Sequence, residues 1–299
     1  FGYGLALGSG QIRKKIAELM RQALETDISV YLKESLQDWI EHMEDGEASE
    51  KAAKLILECE HEMENNSLLA EVLRLRDYLV KPSVWAIGGD GWAYDIGYGG
   101  LDHVIASGED INLFVMDTEI YSNTGGQASK STPAGAVAKL AAAGKGSKKK
   151  DLGLMAMTYG NVYVAQIAMG ADLNQTIKAM VEAERYRGPS LIIAYAPCVS
   201  HGIKTGMGTS LAEEKRAVEA GYWQLYRYNP DLRKEGKNPL IIDSAEPTGD
   251  YKEFLRGEIR YAQLMNVFPE RAEALFEQSR QDAVFRNRRR RLLSEQEIF

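Results

Sequence analysis

The chain has 299 residues and a formal net charge of −7, with 44% hydrophobic and 26% charged residues. That balance excludes a disordered, collagen-like or disulfide-stapled protein. No apolar run approaches the roughly 20 residues that cross a bilayer, which argues against a membrane protein. The acidic surplus argues against a nucleic-acid partner. Two cysteines, Cys59 and Cys198, cannot build a disulfide framework and suit a reducing cytoplasm. The chain opens on Phe1 rather than Met, without a basic n-region or long apolar core. A fragment of a larger polypeptide is therefore expected.

In chain order, residues 11–80 are predicted as helix. Ile12, Ile16, Leu19, Met20 and Leu24 recur at helical spacing, as do Leu32, Leu36, Trp39, Ile40 and Met43. Gly46 breaks the stripe, and Ala52, Leu55, Ile56 and Cys59 resume it. Cys59 is thus expected to be a buried structural thiol. From Lys81-Pro82 onward, short apolar runs alternate with helical patterns. The predicted strands are 84–88, 113–117, 154–158, 191–195 and 240–243. This alternation predicts an α/β fold, a mostly parallel sheet flanked by helices, with a helical N-terminal segment and a helical C-terminal tail. The expected organisation is 1–80 packed on the same domain, 81–252 as the α/β core and 253–299 as the tail. Arg288–Arg291 reads as a solvated helix end or an interdomain contact beside Glu295 and Glu297. Lys148-Lys149-Lys150 reads as an exposed turn.

In a parallel sheet, ligands bind beyond the carboxyl ends of the strands. Polar and glycine-rich clusters fall there: Gly88-Gly89-Asp90-Gly91, residues 118–127, Tyr159-Gly160-Asn161 and Pro197-Cys198. A Gly-Asp-Gly turn lets backbone approach a ligand while holding one carboxylate at a strand end. It also occurs as a plain turn. One βαβ step later comes Asp117-Thr118-Glu119-Ile120, which can offer a hydroxyl and a backbone carbonyl. Mg²⁺ takes one or two carboxylates together with phosphate oxygens, so the two loops are candidates for a magnesium-diphosphate clamp. Asn123 ahead of Gly125-Gly126 reads, on its own, as an Asx turn. His103 and His201 read as structural.

The stretch Gly89-Asp90-Gly91-Trp92-Ala93-Tyr94-Asp95-Ile96-Gly97-Tyr98-Gly99-Gly100-Leu101-Asp102-His103 resembles the thiamine diphosphate motif of the pyruvate:ferredoxin (flavodoxin) oxidoreductases. Asp117-Thr118-Glu119-Ile120-Tyr121-Ser122-Asn123-Thr124-Gly125-Gly126-Gln127 resembles a second signature of that family, as does 132–139. So do Ala196-Pro197-Cys198 with His201-Gly202, and Gly208-Thr209-Ser210. The resemblance is to the family's C-terminal thiamine diphosphate-binding domain and runs over nearly the whole chain.

The resemblance implies a thiamine diphosphate-binding fold. It implies Mg²⁺ held by Asp90, the Thr118 side chain and the Ile120 carbonyl, with Gly89 and Gly91 at the diphosphate. General thiamine enzymes carry Asn at the position of Thr118; Thr is this family's form. Asn123 would hydrogen-bond the substrate. Cys198 would be the last of four ligands to a [4Fe-4S] cluster, the other three lying outside this chain. The family's Glu at the aminopyrimidine comes from a different domain and is not Glu119. The implied reaction is oxidative decarboxylation of pyruvate with CoA to acetyl-CoA and CO₂, with electrons passing through iron–sulfur clusters to ferredoxin or flavodoxin. A cytoplasmic homodimer is expected. The alternatives are another 2-oxoacid:ferredoxin oxidoreductase, or a non-catalytic cofactor-binding module.

Overall fold

The computed structural model describes residues 1–200 and 202–296. His201 and Glu297 lie outside the described residues. The chain divides into two compact units, Phe1–Val84 and Trp85–Phe299.

The first unit is helical: α1 (Gly2–Ala23), α2 (Val30–His42), α3 (Gly46–Leu57), α4 (Glu60–Glu64) and α5 (Ser67–Arg74). The starts of α2, α3 and α5 are capped by the side chains of Ser29, Asp45 and Asn66, each accepting from a backbone N–H of the first turn. The stripes meet in a core of Ile16, Met20, Leu36, Trp39 and Ile56. Buried Arg13 donates to the carbonyls of Met43, Tyr78 and Leu79, closing the end of the unit onto α1. Cys59 is half-buried against this core rather than buried within it.

The second unit holds a six-stranded sheet. Its strands are β1 (Trp85–Gly89), β2 (Asn112–Asp117), β3 (Tyr163–Ile167), β4 (Ser190–Tyr195), β5 (Tyr226–Tyr228) and β6 (Leu240–Ile242). The spatial order is β1-β2-β4-β3-β5-β6. The first four strands run parallel; β5 pairs antiparallel with β3, and β6 antiparallel with β5. The helices are α6 (Tyr98–Ser107), α7 (Leu152–Met157), α8 (Leu173–Arg185), α9 (Ser210–Glu219), α10 (Tyr251–Gly257), α11 (Ile259–Val267) and α12 (Pro269–Glu295). Every residue of β3 is buried, as covering both faces of a parallel sheet requires. None of the helices among the described residues is long and apolar enough to cross a membrane.

The structure corrects the sequence reading at one central element. Residues 154–158 are not a strand: Leu152–Met157 is the helix α7, opened by the Asp151 side chain accepting from Leu154 N at 3.2 Å. Leu, Met and Ala favour helix, whereas the strand β3 begins later at the β-favouring Tyr163 and Val164. Tyr159-Gly160-Asn161 therefore precede β3 and lie at the opposite end of the sheet from the other polar loops. The true carboxyl end of β3 is plugged. Glu214 of α9 accepts from Gly170 N at 2.8 Å, and a Cβ on Gly170 would fall 2.1 Å from the Leu211 carbonyl oxygen.

The arginine run near the C-terminus is not a free basic patch. Arg290 is buried and, with Arg289, binds the Asp151 carboxylate at 2.7 and 2.8 Å, while Arg291 pairs with Glu246 at 3.1 Å. These pairs seal α12 against the rest of the second unit.

Candidate functional site

Strand β1 ends in Gly89 and delivers Asp90 directly into a short wide helical turn over Gly91–Ile96, marked by the bond from Gly97 N to Trp92 O at 2.8 Å. Such turns of five-residue spacing are rare and recur at functional sites. The turn needs its glycines: a Cβ on Gly91 would fall 2.4 Å from the Tyr121 ring, and one on Gly97 would fall 2.1 Å from the Trp92 indole. Gly89 differs, because an added Cβ there would meet nothing within 4 Å. Space is open beyond the strand end at that point.

Asp90 is 1% exposed. Its Oδ1 accepts from the Thr118 hydroxyl at 2.8 Å and its Oδ2 from Ser129 Oγ at 2.5 Å. The Thr118 oxygen also lies 2.9 Å from the Ile120 carbonyl oxygen. A carboxylate, a hydroxyl and a carbonyl thus converge at the ends of the adjacent strands β1 and β2. Burial first, and then Asp117, push the Asp90 carboxyl up to about 6, although Ser129 and Thr118 pull the other way. Beside this convergence lies a cavity of about 430 Å³ lined by Gly89, Asp90, Gly91, Thr118, Ile120 and Asn123, among others. Asn123 is exposed at its rim. Among the described residues no group of three or more His, Cys, Asp or Glu side chains could hold a metal ion. A cation here would rest on one carboxylate and two neutral oxygens, with its other positions left to a ligand. That donor set suits Mg²⁺ with a diphosphate.

Behind the oxygens lies a buried ionic network that the sequence reading did not anticipate. Lys149, expected in an exposed turn, is instead largely withdrawn from solvent, its side chain 10% exposed. Its ammonium donates to Asp117 Oδ2, Glu119 Oε1 and Ser131 Oγ, each at 2.8 Å, and sits 5.0 Å from the centre of a Trp223 ring. Asp117 also accepts from the Tyr94 hydroxyl at 2.7 Å and from Ser131 Oγ. Glu119 accepts from Arg260 Nη2 of α11 at 2.7 Å and from the Tyr222 hydroxyl. Burial alone would raise the Glu119 carboxyl; Lys149 and Arg260 overcome it and hold the group at about 2. Sequence pattern marked Glu119 only as a neighbour of the oxygens, Lys149 only as part of an exposed turn, and Arg260 not at all. Their partners lie 30 and 141 residues away, beyond any local periodicity.

Cys198 is 7% exposed after β4, against Ile120 and Ala138. Its Sγ lies 3.1 Å from Ser122 Oγ and 3.3 Å from Ser200 N, and Ser122 Oγ lies 2.8 Å from Thr118 Oγ1. The structure therefore brings Gly89, Asp90, Gly91, Thr118, Ile120, Asn123 and Cys198 into one neighbourhood. His103 lies exposed on α6 and does not line the cavity. The converging loops follow β1, β2 and β4; the fourth expected loop is at the other end.

The sheet is mixed, and it carries a carboxylate at the end of one parallel strand and hydroxyl and carbonyl oxygens at the end of the next. The family described as thiamine pyrophosphate enzyme, C-terminal TPP binding domain, matches residues 73–194. Over nearly its whole length the chain is, moreover, similar to pyruvate-flavodoxin and pyruvate:ferredoxin oxidoreductases. It is 54% identical to pyruvate-flavodoxin oxidoreductase of Klebsiella pneumoniae over 95% of this chain and 24% of that protein. It is 53% identical to pyruvate:ferredoxin oxidoreductase of Moorella thermoacetica over 99% of this chain and 26% of that protein. It is also 44% identical to the mitochondrial pyruvate dehydrogenase (NADP+) of Euglena gracilis over 98% of this chain and 16% of that protein. The chain spans about a quarter of the length of the first two relatives.

Proposed function

We propose that the chain binds magnesium thiamine diphosphate and contributes that cofactor to the oxidative decarboxylation of pyruvate. The observation that carries this reading is the convergence of Asp90 Oδ1, Thr118 Oγ1 and the Ile120 carbonyl beside an open cavity at the strand ends. Asp90 neutralises part of the cation's charge. Thr118 and Ile120 fill two further positions and leave the rest to phosphate oxygens. Gly89 keeps the strand end open, and Gly91 lets the Tyr121 ring close against the turn. Ile96 and Met116, both exposed, line the cavity and offer apolar surface to a bound ring. Asn123 at the rim would hydrogen-bond the substrate. When bound, thiamine diphosphate supplies the electron sink for loss of CO₂ from a 2-oxoacid.

Pyruvate as a substrate, and a larger polypeptide around this chain, are supported by the names and lengths of the relatives; CoA as the acyl acceptor belongs to the same reading. Cys198 would be one thiolate ligand of a [4Fe-4S] cluster whose other ligands lie outside this chain. Its support is its place two hydrogen bonds from Thr118, with Ser200 N–H donating to its sulfur and the Ser122 hydroxyl within hydrogen-bond distance of it. A cytoplasmic homodimer belongs to the same reading. Relatives named for flavodoxin, ferredoxin and NADP+ share this stretch, so the electron acceptor is chosen outside it. Calorimetric titration of thiamine diphosphate into the chain with and without Mg²⁺ tests the core of the proposal. Mg²⁺-dependent binding is expected, and binding indifferent to Mg²⁺ would overturn it.

A further inference from the structure

The loop carrying two of the three converging oxygens owes its shape to Glu119. In a strand that continued straight, two residues would advance the chain by roughly 6–7 Å. Here the Thr118 hydroxyl oxygen lies 2.9 Å from the Ile120 carbonyl oxygen. The fold-back comes from Glu119, one of two non-glycine residues with positive φ among the described residues, at 58°. That conformation costs an ordinary L-residue roughly 1–2 kcal/mol, so something must hold it.

Each polar group of Glu119 is held by a different part of the unit. Its N–H donates to Asp117 Oδ1 at 3.1 Å, and its carbonyl accepts from Thr132 Oγ1 at 2.6 Å. Oε1 takes Lys149, while Oε2 takes Arg260 and Tyr222. Arg260 is itself fixed: its Nε donates to Glu258 Oε2 at 2.6 Å, and Glu258 Oε1 accepts from the Tyr195 hydroxyl at the end of β4 at 2.8 Å. One guanidinium therefore spans two buried carboxylates with different nitrogens, a geometry that a lysine ammonium cannot reproduce.

We propose that Arg260 is a positioning residue of the cation site: by gripping the Glu119 carboxylate from α11 it keeps the Thr118 hydroxyl and the Ile120 carbonyl converged on Asp90. The C-terminal helices thereby become part of the cofactor site without touching the cofactor. This inference rests on the reading of Asp90, Thr118 and Ile120 as cation ligands. Outer partners that orient ligands are worth about 10–100-fold in metal affinity.

The test measures Mn²⁺ affinity by electron paramagnetic resonance on the full chain at fixed thiamine diphosphate, with near-ultraviolet circular dichroism to verify native packing. Arg260→Met is expected to weaken Mn²⁺ about 10–100-fold, with Arg260→Lys intermediate. Arg227→Met is the control. Arg227 is a buried arginine of β5 paired with Glu182 and Asp243, with no bond to the 117–132 loop. It is expected to change Mn²⁺ affinity by no more than about twofold, well below the range for outer partners. Affinity in Arg260→Met within about threefold of the parent, or an equal loss in Arg227→Met, overturns the proposal. Should Arg260→Met fail to fold, Arg260→Lys and Glu119→Gln decide: parent-like affinity in both refutes the positioning role, and weakened affinity in both supports it. Asp90→Ala separates the two levels, because unaltered Mn²⁺ affinity there would remove the ligand reading itself.

Discussion

Replacing Lys149 by Met isolates the central ionic contact. The ammonium lies 2.8 Å from carboxylate oxygens of both Asp117 and Glu119, and those side chains are at most 1% exposed. Met approximates the length of the side chain but removes the charge, and with it the cation–π contact over Trp223. Glu119 keeps Arg260, whereas Asp117 is left with neutral donors only. Breaking a buried pair from one side costs about 3–5 kcal/mol, because a charge is stranded out of water. The titration of Glu119 gives a second route to the scale. Held at about 2 against an ordinary 4.5, its carboxylate is favoured in the fold by Lys149 and Arg260 together, a shift worth roughly 3 kcal/mol. The sign follows from the depressed value: this stability is complete above about 4.5 and is lost as pH falls toward about 2. Urea unfolding of parent and Lys149→Met at neutral pH should therefore differ by about 3 kcal/mol or more. The gap should narrow below pH about 4.5, as protonation relieves the stranded carboxylates. A difference under about 1 kcal/mol at neutral pH, or one that does not change on acidification, would refute the account of this network.

Other expectations are equally direct. Asp90→Ala should abolish Mg²⁺-dependent thiamine diphosphate binding while leaving the far-ultraviolet circular dichroism unchanged; retained stoichiometric binding removes Asp90 from the site. In the longer protein, Cys198→Ser should leave thiamine diphosphate bound but lower the iron content and alter the cluster spectrum, and unchanged iron refutes the ligand role. Arg290→Met should destabilise the fold by about 3–5 kcal/mol, since Asp151 loses its most buried partner. Burial opposes the Asp151 charge and Arg290 outweighs it, holding the carboxyl below its usual value. That contribution is present above the normal aspartate range and disappears as pH falls below it, so parent and variant should converge in acid thermal scans.

How much of this was legible beforehand follows from the range of the forces involved. Apolar periodicity located the helical first unit and strands β1, β2, β4 and β6, because burial of one face is written locally. The Gly-Asp-Gly turn and the Asp117–Ile120 loop marked the site, since strand ends and their short loops are contiguous in sequence. Residues 154–158 misled for the same reason: an apolar run of that length suits a buried strand or a buried helix, and the Asp151 cap with Met and Ala decided for helix. Strand β5, three residues long and paired antiparallel with β3, carried too little pattern to detect.

What the sequence by itself determined was the α/β architecture, the polar loops at the strand ends and the candidate oxygens Asp90, Thr118 and Ile120. Only the tertiary structure decided that Lys149 turns inward onto Glu119, that Arg260 reaches Glu119 from α11, and that Cys198 meets Thr118 through Ser122. The physical reason is that a buried charge must find its counter-charge wherever the fold brings one. That partner is chosen by proximity in space, which no spacing along the chain records.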